Sequence, residues 1–226
     1  MAKCVVFDMD GTLVNSFEGI FHAYQWAFQK LGRPFPGEVF VQKAVGAPLK
    51  LVFERFCGMD PDTAAQAVGH YRQYYAEKGQ YQATVYAGMA EALRSLRDAG
   101  CLLGVATLKN EGFARDMLSR LGLLAHFHTV CGMDANDRLT KAALLRRCMQ
   151  RMKSAPEETV LVGDSAFDLQ GAGEAGAAFL PVTYGFGFQS REEREALGGA
   201  AGRIILPPSA SPADIPRRLG CPPAPL

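Results

Sequence analysis

Two carboxylates stand two residues apart at the end of the first apolar run of the chain. Asp8 and Asp10 follow Val5-Val6-Phe7, within the segment Asp8-Met9-Asp10-Gly11-Thr12-Leu13. Side chains two apart in an extended strand project to the same side, so the two carboxylates are expected to meet at one point. Two such charges repel each other, but a hard divalent cation such as Mg²⁺ stabilises them and attracts an anionic substrate. The pair therefore predicts a metal site that binds an anion.

The same residue types occur in calcium loops and in ordinary turns. An EF-hand loop that began at Asp8 would need glycine where Leu13 stands and glutamate where Gly19 stands, and it would follow a helix. The β-branched run before Asp8 predicts a strand instead, which excludes the EF-hand. A structural turn without chemistry remains the alternative at this point.

Polar residues also follow later apolar runs. Thr107 ends the run Gly104-Val105-Ala106, Asp164 ends a second run, and Asp168 comes four residues later at the start of a predicted helix. In open parallel sheets, ligands bind beyond the carboxyl ends of the strands, near the point where strand order reverses. We therefore expect these side chains to lie near the first pair. For Thr107 alone, a role as a cap or turn residue is the alternative.

Lys141 is the candidate cation of this group. Thr140 is predicted to cap a helix over residues 141–152, which places Lys141 in its first turn. A positive charge there opposes the helix macrodipole at a cost of roughly 0.3–1 kcal/mol, and a bound anion would reverse that cost. The alternative is that Lys141 points into water.

The chain divides into a helical block and an alternating block. Between residues 16 and about 80, apolar residues recur with helical spacing, and Asp60-Pro61 supplies an N-cap with proline at the first helical position. After Val85, predicted helices and strands alternate as in a doubly wound parallel sheet. The strand before Asp8 must join that sheet. We therefore expect an α/β core over residues 1–15 and 85–226, and a small all-helical domain over 16–84.

The apolar periodicity and the turn residues give bounds for the individual elements. Helices are predicted over residues 17–31, 38–45, 48–56, 61–78, 89–99, 111–121, 141–152 and 167–175, and strands over 102–107, 129–132, 160–163 and 178–182. Ser190-Arg191-Glu192-Glu193 has the spacing of a capping box and predicts a short late helix. The proline-rich segment from Pro207 onward predicts little regular structure beyond a turn around residues 214–219.

Composition limits the classes of protein that this chain can be. Among 226 residues, 48% are hydrophobic, and 24 Lys and Arg balance 23 Asp and Glu, so there is no bulk charge to attract nucleic acid or anionic lipid. The six cysteines are scattered without a C-x-x-C pair, which favours buried thiols in a reducing compartment. We find no signal-peptide pattern and no apolar stretch near the roughly 18 residues of a membrane span. A cytoplasmic protein that binds neither nucleic acid nor membrane is expected.

Taken in order, these residues resemble the motifs of the haloacid dehalogenase (HAD) superfamily of phosphotransferases. Asp8-Met9-Asp10-Gly11-Thr12-Leu13 resembles the first motif and Thr107 the second, Lys141 resembles the third, and Gly163-Asp164-Ser165 with Asp168 resembles the fourth. The resemblance runs from Lys3 to about Tyr184. It implies a Rossmann-like core, with the helical block as the C1 cap that closes over the site.

One branch of the superfamily is the nearest match. The loop Gly46-Ala47-Pro48-Leu49 and the segment Tyr184-Gly185-Phe186-Gly187 resemble the phosphoglycolate phosphatase-like branch. That branch usually has Asn directly after the motif-two Thr, whereas Leu108 stands there in this chain and Lys109-Asn110 come next. Whether Lys109 or Asn110 takes the place of that Asn is left open by the sequence.

The resemblance implies a mechanism with Mg²⁺ as the cofactor. Asp8 would be the nucleophile that forms an aspartyl-phosphate, and Asp10 would be the acid/base that protonates the leaving group and later deprotonates water. The metal would be held by Asp8, the main-chain carbonyl of Asp10 and Asp164, with Asp168 orienting the surroundings of the ion. Four carboxylates against Lys141 alone leave about three excess negative charges, which favours a bound cation.

The remaining motif residues are expected to hold the substrate. Thr107 and Lys141 would bind the transferring phosphoryl oxygens. Gly11 would leave room for those oxygens at the backbone amides, and Thr12 would contribute to positioning. Lys109 and Lys50 are candidate substrate-binding residues, and cap residues such as Lys50 or Arg55 would select the leaving group.

Several functions share this chemistry. The leading hypothesis is a Mg²⁺-dependent phosphatase for small phosphate monoesters such as 2-phosphoglycolate, acting as a monomer or homodimer on a phosphorylated metabolite. An inorganic pyrophosphatase and a β-phosphoglucomutase-like isomerase are the alternatives, and a non-catalytic interaction protein with the same fold is the last. An acid at position 10 argues against a dehalogenase or a phosphonatase, because those members of the superfamily lack it.

Overall fold

The fold was analysed in a computed structural model, which describes residues 3–134, 138–188 and 205–221. The chain divides into two compact units, one comprising Met1–Asn15 with Val85–Leu226 and the other Ser16–Thr84. The helix predicted at Ser190 falls outside the described residues. No helix in the described ranges has both the length and the apolar character that crossing a bilayer requires.

The first unit is built around a parallel sheet of five strands. Its strands are β1 (Cys4–Phe7), β4 (Leu102–Asn110), β5 (Thr129–Met133), β6 (Thr159–Gly163) and β7 (Ala178–Pro181), in the spatial order β5-β4-β1-β6-β7. Every one of the four pairings is parallel. This confirms the predicted α/β fold with a doubly wound sheet.

Helices connect the strands of this sheet. They are α5 (Met89–Asp98), α6 (Glu111–Arg120), α7 (Lys141–Met152) and α8 (Ala166–Ala175), with a short α9 (Ile215–Arg218) near the end of the described chain. The strands are buried almost throughout, as expected for a parallel sheet covered on both faces. Two further two-residue strands, β2 (Val14–Asn15) and β3 (Thr84–Val85), lie at the points where the chain leaves and re-enters this unit.

The second unit contains helices and no strand of three or more residues. Its helices are α1 (Phe17–Lys30), α2 (Glu38–Ala44), α3 (Leu49–Leu51) and α4 (Pro61–Glu77). The helix predicted over residues 48–56 is divided, because Val52–Phe56 continues α3 as a π-helix in which the Cys57 amide donates to the carbonyl of Val52. Asp60 caps α4 by accepting hydrogen bonds from the amides of Asp62 and Thr63, as the Asp-Pro pair predicts.

Two other details differ from the sequence expectation or extend it. Strand β4 continues to Asn110, three residues beyond its predicted end, and its pairing with β5 is irregular between Ala106 and Asn110. All six cysteines are free thiols, five of them buried and Cys57 half-buried. The extension of β4 matters for the site, because it carries Lys109.

Candidate active site

The reversal of strand order places the first motif at the centre of the sheet. Strand β1 lies between β4 and β6, and Phe7 is in register with both Val105 and Val162. The residues that follow Phe7, Val105 and Val162 therefore lie at one edge of the sheet. The amide of Asp8 continues the ladder by donating to the carbonyl of Val162 at 2.8 Å.

Three carboxylates meet at this edge. Asp8, Asp164 and Asp168 each offer an oxygen within 4.8 Å of the others, and all three residues are buried. A structural turn alone gives no reason to bury and gather acidic groups, so this cluster favours the metal-site hypothesis for the first motif. Hard oxygen ligands in this number suit Mg²⁺, so the residues present fit the metal that the sequence implies.

Lys141 lies among these carboxylates and does not point into water. Thr140 caps α7 through its side chain, which accepts a hydrogen bond from the Ala143 amide at 3.2 Å, so Lys141 is the first residue of the helix as predicted. Its ammonium contacts Asp8 and lies 2.7 Å from Asp168 Oδ1. Lys141 itself is 5% exposed. A buried cation in the first helical turn therefore bridges two of the three acids.

Asp168 has a second task at the start of α8. Its Oδ2 accepts hydrogen bonds from the backbone amide of Ser165 at 3.0 Å and from the hydroxyl of Ser165 at 2.6 Å, while Ser165 caps the helix in return. This capping box fixes the rotamer of Asp168, so that Oδ1 faces Lys141. The local sequence Ser-x-x-Asp thus positions a charge of the site.

Asp164 is held by backbone amides from a distant segment. Its Oδ2 accepts from the amides of Phe186 at 2.7 Å and Gly187 at 3.2 Å. The hydroxyl of Thr12 lies 3.3 Å from its other oxygen, Oδ1. Thr12 therefore contacts a carboxylate of the site. The sequence analysis missed the two amide donors, although Gly185 and Gly187 mark a segment where backbone could approach closely.

Gly11 is required by the packing of this same segment. It has φ +85°, and a Cβ at this position would lie 2.2 Å from Asp164 Oδ2 and 2.8 Å from the ring of Phe186. The absence of a side chain lets Asp164 and the 184–187 segment close against the first motif. The expected role for Gly11 at the phosphoryl oxygens remains a prediction.

Lys109 and Asn110, the two candidates for the place of the missing Asn, have different surroundings. Its Nζ lies 2.8 Å from Asp10 Oδ2, whereas the side chain of Asn110 caps α6 by accepting from the Gly112 amide at 3.0 Å. Two cations, Lys109 and Lys141, thus face the four carboxylates, and the count based on Lys141 alone was wrong. The excess is about two negative charges, which still favours a divalent cation.

The two remaining predicted residues lie in different places. Thr107 is buried at the edge, and its hydroxyl accepts a hydrogen bond from the Lys109 amide at 3.1 Å. Lys50 belongs to the other unit, where its side chain is 68% exposed and lies 3.7 Å from Glu54. A role for Lys50 at the substrate therefore remains a prediction.

Burial and like charges perturb the acids of the site. Burial raises the pKa of Asp8 well above its ordinary value; Lys141 lowers this pKa in part, and Asp168 and Asp164 raise it further. Burial, followed by the charge of Asp168, raises the pKa of Asp164 to about 7, although the amides of Phe186 and Gly187 oppose the shift. These shifts indicate an excess of negative charge in a desolvated place, which a bound cation would relieve.

The pKa of Lys141 is also raised, which for a lysine favours the charged form. Burial by itself lowers its pKa, but the carboxylates of Asp168 and Asp8 more than compensate and raise it above the ordinary value of a lysine. The ammonium is therefore charged at neutral pH. A permanent buried cation beside Asp8 suits the binding of a phosphoryl group.

Known proteins share this arrangement of sequence and fold. The family model described as "Haloacid dehalogenase-like hydrolase" matches residues 5–182. A 5'-nucleotidase of Pseudomonas aeruginosa is 35% identical over 81% of this chain and 83% of its own length. A phosphoglycolate phosphatase of Thiobacillus denitrificans is 31% identical over 81% of this chain and 84% of its own. A crystal structure of a predicted phosphatase from Clostridium acetobutylicum superposes with a TM-score of 0.83 at 32% identity, covering 91% of this chain and 94% of the other.

Proposed function

Because this chain belongs to the haloacid dehalogenase-like hydrolase family, we propose that it is a Mg²⁺-dependent phosphatase that hydrolyses small phosphate monoesters through an aspartyl-phosphate at Asp8. Relatives that are named as phosphatases support the general activity. The proposed Mg²⁺ dependence and aspartyl-phosphate rest on one observation, the clustering of Asp8, Asp164 and Asp168 around Lys141.

Asp8, Asp164 and the main-chain carbonyl of Asp10 would hold the metal. When bound, Mg²⁺ would neutralise the carboxylates and polarise the phosphoryl oxygens. Asp168 would keep Lys141 in place and Lys141, with the hydroxyl of Thr107, would bind phosphoryl oxygens as charge shifts in the transition state. Gly11 and Thr12 would keep the first motif closed against Asp164.

The reaction would proceed in two displacements. In the first, a carboxylate oxygen of Asp8 forms a bond to phosphorus while the bond to the leaving oxygen breaks, and Asp10 gives its proton to that oxygen. In the second, water attacks phosphorus and returns a proton to Asp10, the bond to Asp8 breaks, and inorganic phosphate leaves. Asp10 thus acts as acid and then as base.

The leaving group defines the substrate. The relatives' names suggest two classes, a phosphorylated hydroxy acid such as 2-phosphoglycolate and a nucleoside monophosphate. We propose the hydroxy acid as the first class, since the 184–187 segment resembles that branch of the family. Lys50 of the helical unit, the proposed C1 cap, would contact the leaving group.

A screen of phosphate release with matched variants tests the proposal. Substrates would include 2-phosphoglycolate, nucleoside monophosphates, pyrophosphate, hexose phosphates and 4-nitrophenyl phosphate, each with Mg²⁺ and with EDTA. We expect Asp8→Asn to lose at least about a thousandfold in kcat, because the nucleophile is absent. Asp116→Asn, which changes an exposed Asp on α6, should keep wild-type activity.

Direct detection of the intermediate adds a second criterion. Borohydride reduces an acyl phosphate, so quenching during turnover should convert Asp8 to homoserine, visible by mass spectrometry of the peptide. Retained activity in Asp8→Asn, or labelling at another acid, would contradict the assignment. Activity confined to pyrophosphate, or interconversion of hexose phosphates without phosphate release, would favour the alternative functions instead.

A further inference from the structure

A second buried ion pair lies at the candidate site. Lys109 Nζ lies 2.8 Å from Asp10 Oδ2, and the two side chains are 7% and 10% exposed. A buried ammonium is costly without a carboxylate, so this contact strongly restrains both partners. Lys141 contacts Asp8 and Asp168. Lys109 instead contacts Asp10, the acid that is proposed to protonate the leaving group.

The backbone on both sides of Lys109 is fixed by local hydrogen bonds. Its own amide donates to the hydroxyl of Thr107 at 3.1 Å, and the next residue, Asn110, caps α6 through its side chain. Lys109 stands two residues after Thr107, in the irregular part of β4 that extends beyond the predicted end of the strand. The extension of β4 therefore contains the residue, Lys109, whose ammonium contacts Asp10.

We propose that Lys109 is a positioning residue that acts through Asp10. Its ammonium fixes the orientation of the Asp10 carboxyl group, so that the proton passes to the leaving oxygen from one defined rotamer. This inference rests on the proposed function, because it assumes that Asp10 protonates the leaving group as the bond from phosphorus to that oxygen breaks. It differs from the expectation that Lys109 binds the substrate directly.

The dependence of rate on the leaving group separates these two roles. A 4-nitrophenolate leaves without protonation, whereas an alkoxide needs a proton from the acid. Loss of a residue that positions Asp10 therefore slows the hydrolysis of alkyl phosphates but leaves the hydrolysis of aryl phosphates almost unchanged. Loss of a residue that binds the substrate's own anion raises KM for anionic substrates, with no relation to the acidity of the leaving group.

The experiment compares kcat/KM for a small alkyl phosphate and for 4-nitrophenyl phosphate in wild type, Lys109→Met and Lys109→Gln. General acid catalysis contributes on the order of 10²–10⁴-fold, so a misplaced acid should cost the alkyl ester at least about tenfold and the aryl ester less than about threefold. Thermal unfolding of each variant verifies that it is folded. If Lys109→Met does not fold, Lys109→Gln is judged by the same criterion.

A double variant tests whether Lys109 acts through Asp10. In the Asp10→Asn background, adding Lys109→Met should change kcat/KM for the alkyl ester by less than about twofold, because the group that it positions is already disabled. Lys3→Met is the matched control: Lys3 also pairs with an acid, Glu158, but it is exposed and precedes β1. It should behave as wild type on both esters.

The outcomes distinguish the inference from the function on which it rests. Equal losses on both esters in Lys109→Met, or additive losses in the double variant, would overturn the positioning role while the phosphatase proposal stands. A wild-type protein that releases no phosphate from either ester would overturn both. Selective loss on the alkyl ester, abolished in the Asp10→Asn background, would support the positioning role.

Discussion

The ammonium of Lys141 lies 2.7 Å from Asp168 Oδ1, and both side chains are almost completely buried. The capping box at the start of α8 holds Asp168 from the other side, through Ser165. Lys141 thus depends for its position on a residue that also begins a helix. We therefore expect that replacement of Asp168 will disturb the position of the Lys141 ammonium.

Asp168→Asn should reduce activity with little change in the helix. Asn can still accept the hydrogen bonds from Ser165, but the charge that faces Lys141 is lost. Residues that orient a metal site in this way typically change affinity or activity by about 10–100-fold, and we expect a fall of that size in kcat/KM. Asp116→Asn serves as the control, and unchanged activity in Asp168→Asn would refute the coupling.

Asp164 should make the metal-free protein less stable as the pH rises. Its pKa in the folded state is raised to about 7 from an ordinary value of 3.8, so between these values the folded state binds more protons than the unfolded state. The free energy of unfolding therefore falls with rising pH across this window, by at most about 4 kcal/mol. The pKa of Asp8 is also raised, so Asp8 contributes to the pH dependence with the same sign.

Urea unfolding in EDTA at pH 5 and at pH 7.5 measures this effect. We expect a lower midpoint at pH 7.5, and a clearly smaller difference in Asp164→Asn, which cannot ionise. Asp116→Asn should retain the wild-type difference. An identical pH dependence in wild type and Asp164→Asn would show that Asp164 is not the titrating group.

Mg²⁺ should stabilise the folded protein, and more so at higher pH. Under the proposed function, the ion would bind the folded site and relieve the repulsion among Asp8, Asp164 and Asp168, so its presence should raise the melting temperature. Carboxylates must lose their protons to bind a metal, so affinity should weaken as the pH falls below about 7. Thermal shift titrations at pH 6 and pH 8 measure this, and equal shifts, or none, would count against the metal site.

Gly185→Ala should disturb the support of Asp164. A Cβ at residue 185 would lie 2.2 Å from the Gly11 carbonyl oxygen and 2.5 Å from Asp164 Oδ2, so the backbone of the 184–187 segment must move. Asp164 would then lose amide donors, and a buried carboxylate that loses hydrogen bonds costs about 1–3 kcal/mol or more. Urea unfolding and the Mg²⁺-induced thermal shift should both show a decrease.

Gly69→Ala is the matched control for that substitution. Gly69 lies in α4, and a Cβ there meets no atom within 4 Å. Alanine should therefore leave stability unchanged or raise it by up to about 1 kcal/mol, because it favours the helix. A Gly185→Ala protein as stable as Gly69→Ala, with an unchanged response to Mg²⁺, would contradict the proposed support.

The sequence by itself determined the sheet and the place of the acids. Parallel strands end at one edge, so residues that follow β1 and β6 had to come close once the alternation of strands and helices was recognised. The bounds of α7 were predicted to the residue, because Thr140 is a strong N-cap and its side chain captures the Ala143 amide. An N-cap of this kind depends only on residues that are close in the sequence, so it can be predicted from the sequence alone.

Only the tertiary structure decided how each charge is held. The contact between Lys109 and Asp10 joins residues that are far apart in the chain, and it depends on a three-residue extension of β4. The contact between Gly187 and Asp164 depends on a segment that returns to the site after β7. Sequence periodicity carries no information on such distances, since burial and close approach arise from packing between elements. The residue types of the candidate site were therefore readable from the sequence, whereas the partners that hold them were not.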